Sequence, residues 1–163
     1  MKKILFLFTI ALFLPNAFFA QTKAESPAIF AKSYDYVNDF EKILTPSQAK
    51  SLNDYLKSSE TKTKSKIVIV TTSSISPYTD LNDYSLGLDK YMLSKLKIDT
   101  SILIVISKQL RQIQVQGVEK IRAKISDQEI KDLIAAYIVP ELKKGDYYKG
   151  LQQGTLELVK KIE

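Results

Sequence analysis

Two short runs of apolar residues, most of them β-branched, constrain the fold of this chain more than any other feature of its sequence. Residues 67–72 read IVIVTT and residues 102–106 read ILIVI. A strand that is apolar at consecutive positions presents apolar side chains on both faces, so its sheet must be covered on both sides. We therefore predict two central strands in an open sheet that lies between two layers of helices.

The residues between and after these runs predict how the strands pair. Apolar residues recur at helical spacing between the runs, at Leu81, Tyr84, Leu88 and Tyr91, which predicts a βαβ unit with parallel strands. Residues 112–116 read QIQVQ, and this alternation predicts a half-exposed edge strand antiparallel to the second run. The predicted fold class is α/β, a three-layer α/β/α sandwich with a small, mostly parallel mixed sheet and an antiparallel edge strand.

Capping residues predict where three further helices begin. Thr45 with Gln48 and Ser126 with Glu129 form two capping boxes. Asp146 stands where its side chain can cap the final helix of the chain. The sequence therefore predicts helix starts next to these three caps.

Polar stretches and proline predict where helices end. The Ser, Thr and Lys residues of 58–66 predict the end of the first of these helices. Pro140 lacks an N–H and its ring clashes with the preceding turn of a helix, so it predicts the end of the helix that Ser126 begins. In the final helix, Tyr147 and Leu151 share one face, and Gly154 marks a place where a neighbour approaches closely.

The first 20 residues have the pattern of a secretory signal peptide. Lys2 and Lys3 precede an apolar run at residues 4–14, and the small residue Ala20 follows. This run is shorter than the roughly 20 residues that span a bilayer. We expect cleavage near Gln21 and a periplasmic or secreted mature protein; an uncleaved anchor and a buried amino-terminal helix are the alternatives.

The mature chain is predicted to be one domain behind a linker. Residues 21–33 are mostly small and polar and predict a flexible linker, whereas residues 34–163 predict the folded domain. Removing residues 1–20, which hold two lysines and no acid, leaves 22 basic and 18 acidic residues, a net charge of +4. This mild excess, with no aromatic residue in the lysine-rich stretch 57–66, predicts no nucleic-acid partner. The mature chain also has no apolar run long enough for a transmembrane helix.

Residue types that are missing narrow the chemistry. The chain has no histidine and no cysteine, which excludes Ser-His-Asp and Cys-His catalysis and zinc sites of the usual kind. No phosphate-binding glycine loop occurs in the sequence. A metal would have to be a hard cation that oxygen atoms hold, such as Ca²⁺, Mg²⁺ or Mn²⁺.

Several acids precede or follow the predicted strands. The carboxyl ends of parallel strands form the crevice where open α/β sheets bind ligands, and Asp80 follows the first such end at residues 71–74. Asp39 precedes the first helix, Asp99 precedes the second strand, and Glu119 follows the edge strand. For each acid, a helix cap or a solvated surface charge is the alternative interpretation.

Segments in the same order along the chain resemble the motifs of one family. In the first half of the chain, residues 36–45 resemble V-x-D-x-x-x-x-L-S/T, residues 66–72 resemble q-I-x-V-V-T, and residues 80–84 resemble d-I-x-x-Y-A. In the second half, residues 102–106 resemble G-V-L-L-L, and residues 111–119 resemble R-x-x-x-x-x-G-x-G-L-E. The last match is residues 138–151, which resemble I-x-P-x-f-k-x-G-d-Y-y-x-G-l. Over residues 36–162 the chain thus resembles the TPM domain family of exported bacterial, thylakoid-lumen and receptor-accessory proteins. The resemblance implies an α/β/α sandwich.

The resemblance also implies a function, although the chain departs from the family pattern near the expected site. Some family members bind divalent cations and have weak acid phosphatase activity. Residues 99–101 read DTS where the family commonly has D-N-G, and residues 117–119 read GVE where it has G-x-G-L-E. Only Asp39, Asp99 and Glu119 keep an acidic group at matching places, so the resemblance implies these three as ligands of Ca²⁺ or Mg²⁺.

Two functions are therefore expected. The first is a binding or accessory module that contacts an envelope or secreted protein through the crevice or the edge strand, because catalytic residue types are scarce. The second is a divalent-metal-assisted acid phosphatase of low activity, in which an aspartate and glutamate cluster holds the cation.

Overall fold

A four-stranded sheet forms the centre of the structure, a computed structural model that describes residues 29–163. Its strands lie in the order of the chain: β1 (Val37–Asp39), β2 (Ile67–Thr71), β3 (Ile102–Ser107) and β4 (Gln112–Gln116). The first three strands are parallel, and β4 is antiparallel to β3. The predicted mixed sheet with an antiparallel edge strand is confirmed. The predicted signal peptide and its cleavage near Gln21 lie outside the described residues.

Helices cover the sheet on both faces. They are α1 (Pro46–Thr63), α2 (Leu81–Tyr91), α3 (Asp127–Leu133), α4 (Val139–Lys144) and α5 (Tyr147–Ile162). Two π-helical turns, Met92–Leu96 and Ile134–Ile138, follow α2 and α3, and a 3₁₀ turn, Val118–Ile121, follows β4. None of these helices, in the part of the chain that the structure describes, is long and apolar enough to cross a membrane.

The alternating side chains of β2 and β3 divide the core into two halves. All residues of both strands are buried. Ile69 and Ile104 point to the face that α1, α3 and α5 cover, whereas Val70 and Leu103 point to the face that α2 covers. This division is the three-layer arrangement that the two apolar runs predicted.

Strand β1 has no counterpart in the sequence prediction. It pairs parallel with β2, with Val37 opposite Ile69. Of its three residues only Val37 is apolar, so the strand shows neither an apolar run nor an alternation. Its central residue, Asn38, is buried; its side chain accepts a hydrogen bond from the Asp35 N–H at 2.8 Å and donates one to the Ile69 carbonyl at 3.3 Å.

The prediction that Pro140 ends the third helix is wrong. Before the proline, the helix widens into the π turn Ile134–Ile138, in which the Val139 N–H bonds to the Ile134 carbonyl. Pro140 then occupies the first turn of α4, where a missing N–H leaves no hydrogen bond unmade, and the helix continues to Lys144. The wide turn thus lets one continuous helical segment contain a proline.

Two other boundaries differ slightly from the expected ones. Helix α1 continues to Thr63, through most of the polar stretch 58–66. Near the amino end of the described residues, Phe30 packs against the domain although it lies within the predicted linker 21–33. The Phe30 ring lies 5.4 Å from the Tyr84 ring and 5.2 Å from the Tyr91 ring, centroid to centroid.

Substitution of Asp146 tests the cap of α5. Its Oδ1 accepts a hydrogen bond from the Lys149 N–H at 3.0 Å. We expect Asp146→Ala to lower the free energy of unfolding by about 0.5–2 kcal/mol, the usual effect of losing a cap, and to leave any cation affinity unchanged. Asp146→Asn, which keeps a capping oxygen, should cost much less in the same urea titration. Equal losses in both variants would contradict the capping role.

Gly154 tests the close packing of α5 on the π turn. A Cβ atom at this buried position would overlap Cγ1 and Cδ1 of Ile138, which is itself fully buried. We expect Gly154→Ala to destabilise the fold by about 1–3 kcal/mol in urea titration, despite the better helix propensity of alanine. Ile138→Ala makes room for the new methyl group, so the double variant should be more stable than the sum of the two single effects. Strict additivity would contradict this packing account.

Candidate functional site

Asp39 organises the loop that follows β1. Its Oδ1 accepts hydrogen bonds from the Ile43 N–H at 3.1 Å and from the Thr71 hydroxyl at 2.6 Å. Its Oδ2 accepts one from the Leu44 N–H at 2.8 Å. Both carboxylate oxygens therefore already accept hydrogen bonds within the protein, at the end of the sheet where the parallel strands stop.

Asp99 and Glu119 lie at the opposite end of the sheet, where the parallel strands begin. Asp99 comes before the start of β3 and forms an ion pair with Lys120. Glu119 follows the carboxyl end of β4, which returns antiparallel to the start of β3, and its side chain is 84% exposed beside Arg122 at 3.8 Å. The strands of the sheet separate these two acids from Asp39 by at least about 13 Å, from the rise per residue along β3.

The structure therefore does not bring Asp39, Asp99 and Glu119 together as ligands of one cation. Asp80, the fourth predicted site residue, is exposed and caps α2, where it accepts a hydrogen bond from the Asp83 N–H at 2.8 Å. Within residues 29–163 no group of three or more acids has an arrangement that could hold a metal ion. The acids that the resemblance implied do not fit a shared Ca²⁺ or Mg²⁺ site.

One concave surface lies along the outer side of β4, and we call it the edge groove. It has a volume of about 740 Å³. Its floor is β4, and its walls come from the two helical layers. Large apolar residues of these walls are Leu86, Leu93, Ile130 and Ile134, and the rim also carries charged residues: Asp89, Glu119, Lys120, Arg122, Asp127 and Lys131.

The edge groove has an exposed backbone at its floor. Among the described residues, β4 has a neighbouring strand on one side only, β3. On the face that α2 covers, the Gln116 amide donates hydrogen bonds to the Ser85 hydroxyl at 2.8 Å and to the Asn82 side chain at 3.2 Å. On the other face, Ile113 and Val115 pack against the core. The strand is thus held firmly while its outer edge stays free.

A second concave surface lies where the parallel strands end, and we call it the basic cleft. Its volume is about 1000 Å³, and it lies between the loop after β1, the hairpin that joins β3 to β4, and the turn before α5. Five of its lining residues are basic: Lys42, Lys108, Arg111, Lys143 and Lys144.

The acids at the cleft are fewer than its five basic residues. The one acid in the lining, Glu41, accepts hydrogen bonds at both oxygens, from the N–H groups of Lys108 at 2.8 Å and Gln109 at 2.9 Å. It therefore anchors the hairpin to the loop after β1. Partial burial raises the pKa of Tyr147 above its ordinary value; the Glu41 charge raises it further, and Arg111 opposes both effects.

The sequence predicted a crevice at the position of the basic cleft but not the basic residues that line it. A crevice was expected where the parallel strands end, and the cleft lies there. The lysine pair at 143 and 144 is visible in the sequence, yet only the return of α4 to the sheet brings it opposite Lys108 and Arg111. No local spacing signals such a meeting.

A comparison with family models decides where this chain belongs. The model of the TPM domain matches residues 37–161, most of the chain. The chain belongs to the TPM domain family. No curated protein matches its sequence.

Solved structures agree with this TPM domain fold. The N-terminal domain of a Porphyromonas gingivalis protein (P.gingivalis), solved by NMR, aligns with a TM-score of 0.68 and 21% identity over 82% of this chain and 85% of that one. The N-terminal domain of the cg2496 protein of Corynebacterium glutamicum gives 0.61 and 16% over 86% of each chain. The BA42 protein of Bizionia argentinensis gives 0.59 and 20% over 76% of this chain and 83% of that one. At such identities these likenesses show the fold alone.

Substitution of Asp39 separates a structural role in this TPM domain from metal binding. Asp39→Ala leaves the N–H groups of Ile43 and Leu44 without their acceptor, so we expect it to cost about 2–3 kcal/mol of unfolding free energy in urea titration. Glu119→Ala, at an exposed charge, should change it by less than about 0.5 kcal/mol. Suppose instead that Ca²⁺ raises the melting temperature of the wild type, and that Asp39→Ala removes this gain without loss of stability. Asp39 would then be a metal ligand.

Proposed function

We propose that this TPM domain is a binding or accessory module, exported from the cell, that takes an extended segment of an envelope or secreted protein on the free edge of β4. The observation that carries the proposal is the edge groove: among the described residues no strand pairs with the outer edge of β4, and large apolar side chains stand on both sides of it. A segment that adds to such an edge gains main-chain hydrogen bonds, and its alternate side chains enter the flanking pockets.

Strand β4 lacks the features that usually protect an edge strand. Natural edge strands avoid pairing by means of charged side chains, prolines or bulges. The sequence of β4 is QIQVQ, with no charge and no proline, and its five residues pair with β3 in unbroken register. The outward N–H and C=O groups of β4 are thus available to another strand.

The walls of the edge groove also favour a bound segment. Leu86 and Leu93 are each 49% exposed, and both line the groove beside β4. Large apolar side chains that cluster on a surface commonly mark a contact with another molecule. A segment with side chains of alternating direction would cover these leucines on one face and the half-buried Ile134 on the other.

The geometry supports the acid phosphatase less well. That activity was expected to use a cluster of acids. Asp39, however, lies at the end of the sheet where the parallel strands stop, whereas Asp99 and Glu119 lie at the opposite end. Asp39 and Glu41, the acids next to the basic cleft, already accept hydrogen bonds from backbone N–H groups. A phosphatase would need a carboxylate that is free to hold a cation or accept a proton.

A matched pair of double variants tests the proposal. Gln114→Lys with Leu93→Lys places charge on the floor and wall of the edge groove. Gln152→Lys with Leu156→Lys makes the same exchanges on exposed positions of α5. Peptides selected from a random display library against the wild type should bind the groove variant at least about tenfold more weakly, because an added charge blocks strand addition. They should bind the α5 variant unchanged in fluorescence anisotropy.

Hydrogen exchange locates the bound peptide independently. Strand addition should slow exchange at the outward N–H groups of β4 and leave those of α5 unaffected. Selected peptides that protect another surface, or that bind both variants equally, would contradict the proposal. Hydrolysis of p-nitrophenyl phosphate that requires Mg²⁺ or Ca²⁺ and is lost in Asp39→Asn would favour the phosphatase instead.

A further inference from the structure

We propose a second binding site: the basic cleft binds an acidic segment of a protein through its Asp and Glu carboxylates. The cleft lies beside the edge groove but differs from it in chemistry. Its charge, its shape and its free side chains favour an acidic ligand whether or not a strand adds to β4.

The cations of the cleft are mostly unpaired. Within the described residues, Lys42, Lys108, Arg111 and Lys143 have no carboxylate within salt-bridge distance. Lys144 pairs with Glu141 at 2.8 Å. The clustering is local, because the net charge of the whole chain is only +6. These four cations outnumber the single acid of the lining, Glu41, so like charges repel one another and an acidic ligand would relieve this repulsion.

The way the cleft is built favours a ligand with several carboxylates. Its free cations come from three separate segments: Lys42 after β1, Lys108 and Arg111 in the hairpin, and Lys143 before α5. Asp39 and Glu41 hold the first two segments in place through hydrogen bonds to backbone N–H groups. The cations are therefore presented from three sides of a hollow of about 1000 Å³, more than a single small anion would fill.

The same features argue against other acidic macromolecules. A membrane surface is flat, whereas these side chains surround a concave space, so lipid headgroups would reach few of them. Single-stranded nucleic acid binds where aromatic rings stack with its bases. The cleft has one aromatic residue, Tyr147, and the Lys108 ammonium lies 5.8 Å from its ring centroid. The apolar side chains of Ile43 and Leu142 also line the cleft and would contact the aliphatic parts of a peptide.

A pair of charge-matched variants tests this site. Lys108→Glu with Lys143→Glu reverses two exposed cations of the cleft, and Lys57→Glu with Lys62→Glu reverses two exposed cations of α1. The probe is a fluorescein-labelled peptide in which Asp and Glu alternate with Gly and Ser. We expect the cleft variant to bind it at least about tenfold more weakly than the wild type, and the α1 variant to bind it within about twofold. Raising the salt concentration should weaken wild-type binding.

Further arms separate the sources of negative charge. A peptide with Asn and Gln in place of Asp and Glu should not bind, and vesicles of anionic phospholipid should bind less well than the acidic peptide. Lys108→Gln with Lys143→Gln, which adds no acid, should also weaken binding and guards against misfolding of the Glu variant. The groove variant Gln114→Lys with Leu93→Lys should still bind the acidic peptide. A failure of the edge-groove proposal can therefore be told apart from a failure of the basic-cleft proposal. Equal losses in the cleft and α1 variants, or binding to vesicles alone, would overturn the proposal.

Discussion

Burial of both faces of β2 and β3 is the constraint on which the rest of this structure depends. Neither strand has a polar face, so helices must lie above and below the sheet, and the two core clusters are the result. A sheet covered in this way keeps little surface for a ligand on its faces. What remains accessible is its perimeter, which includes the side edge of β4 and the end where the parallel strands stop. The edge groove and the basic cleft both lie on this perimeter, because helices cover the two faces of the sheet.

Polar side chains at this perimeter mainly hold loops. Asp39, Glu41, Asp80 and Asp146 each accept hydrogen bonds from backbone N–H groups that the ends of strands and helices leave unpaired. In a sequence, such acids are candidates for a binding site because they follow strands or precede helices. At the same positions, however, a chain without disulfides needs hydrogen-bond acceptors for the backbone N–H groups of its turns. The basic side chains are the ones left free, so the site is suited to bind anions and not the cation that was expected.

Sequence reasoning was accurate where a repeating pattern was present. The apolar runs located β2 and β3, strict alternation located β4, and capping boxes located the starts of α1 and α3, because each of these signals is local. Strand β1 was missed since it is short and mostly polar and forms only against β2. That omission also hid the position of Asp39. Without β1, nothing in the sequence shows that Asp39 follows a parallel strand. Asp99 precedes a parallel strand, so the two acids lie at opposite ends of the sheet, and the sequence alone does not reveal this separation. The basic cleft could not be found because its cations come from segments far apart in the chain.

The edge groove and the basic cleft share part of their walls, since Ile113 and Val139 line both. A partner of the proposed kind that leaves one surface would therefore reach the other within a short stretch of chain. If it carries an acidic stretch next to an extended apolar one, its second contact becomes intramolecular, at an effective concentration that a short linker raises to the millimolar range, about 10⁻³ M. Two individually weak contacts then give strong overall binding only to chains that have both features in the right order. Discrimination among partners would thus depend on the order and direction of the segments in the partner more than on any single residue of it.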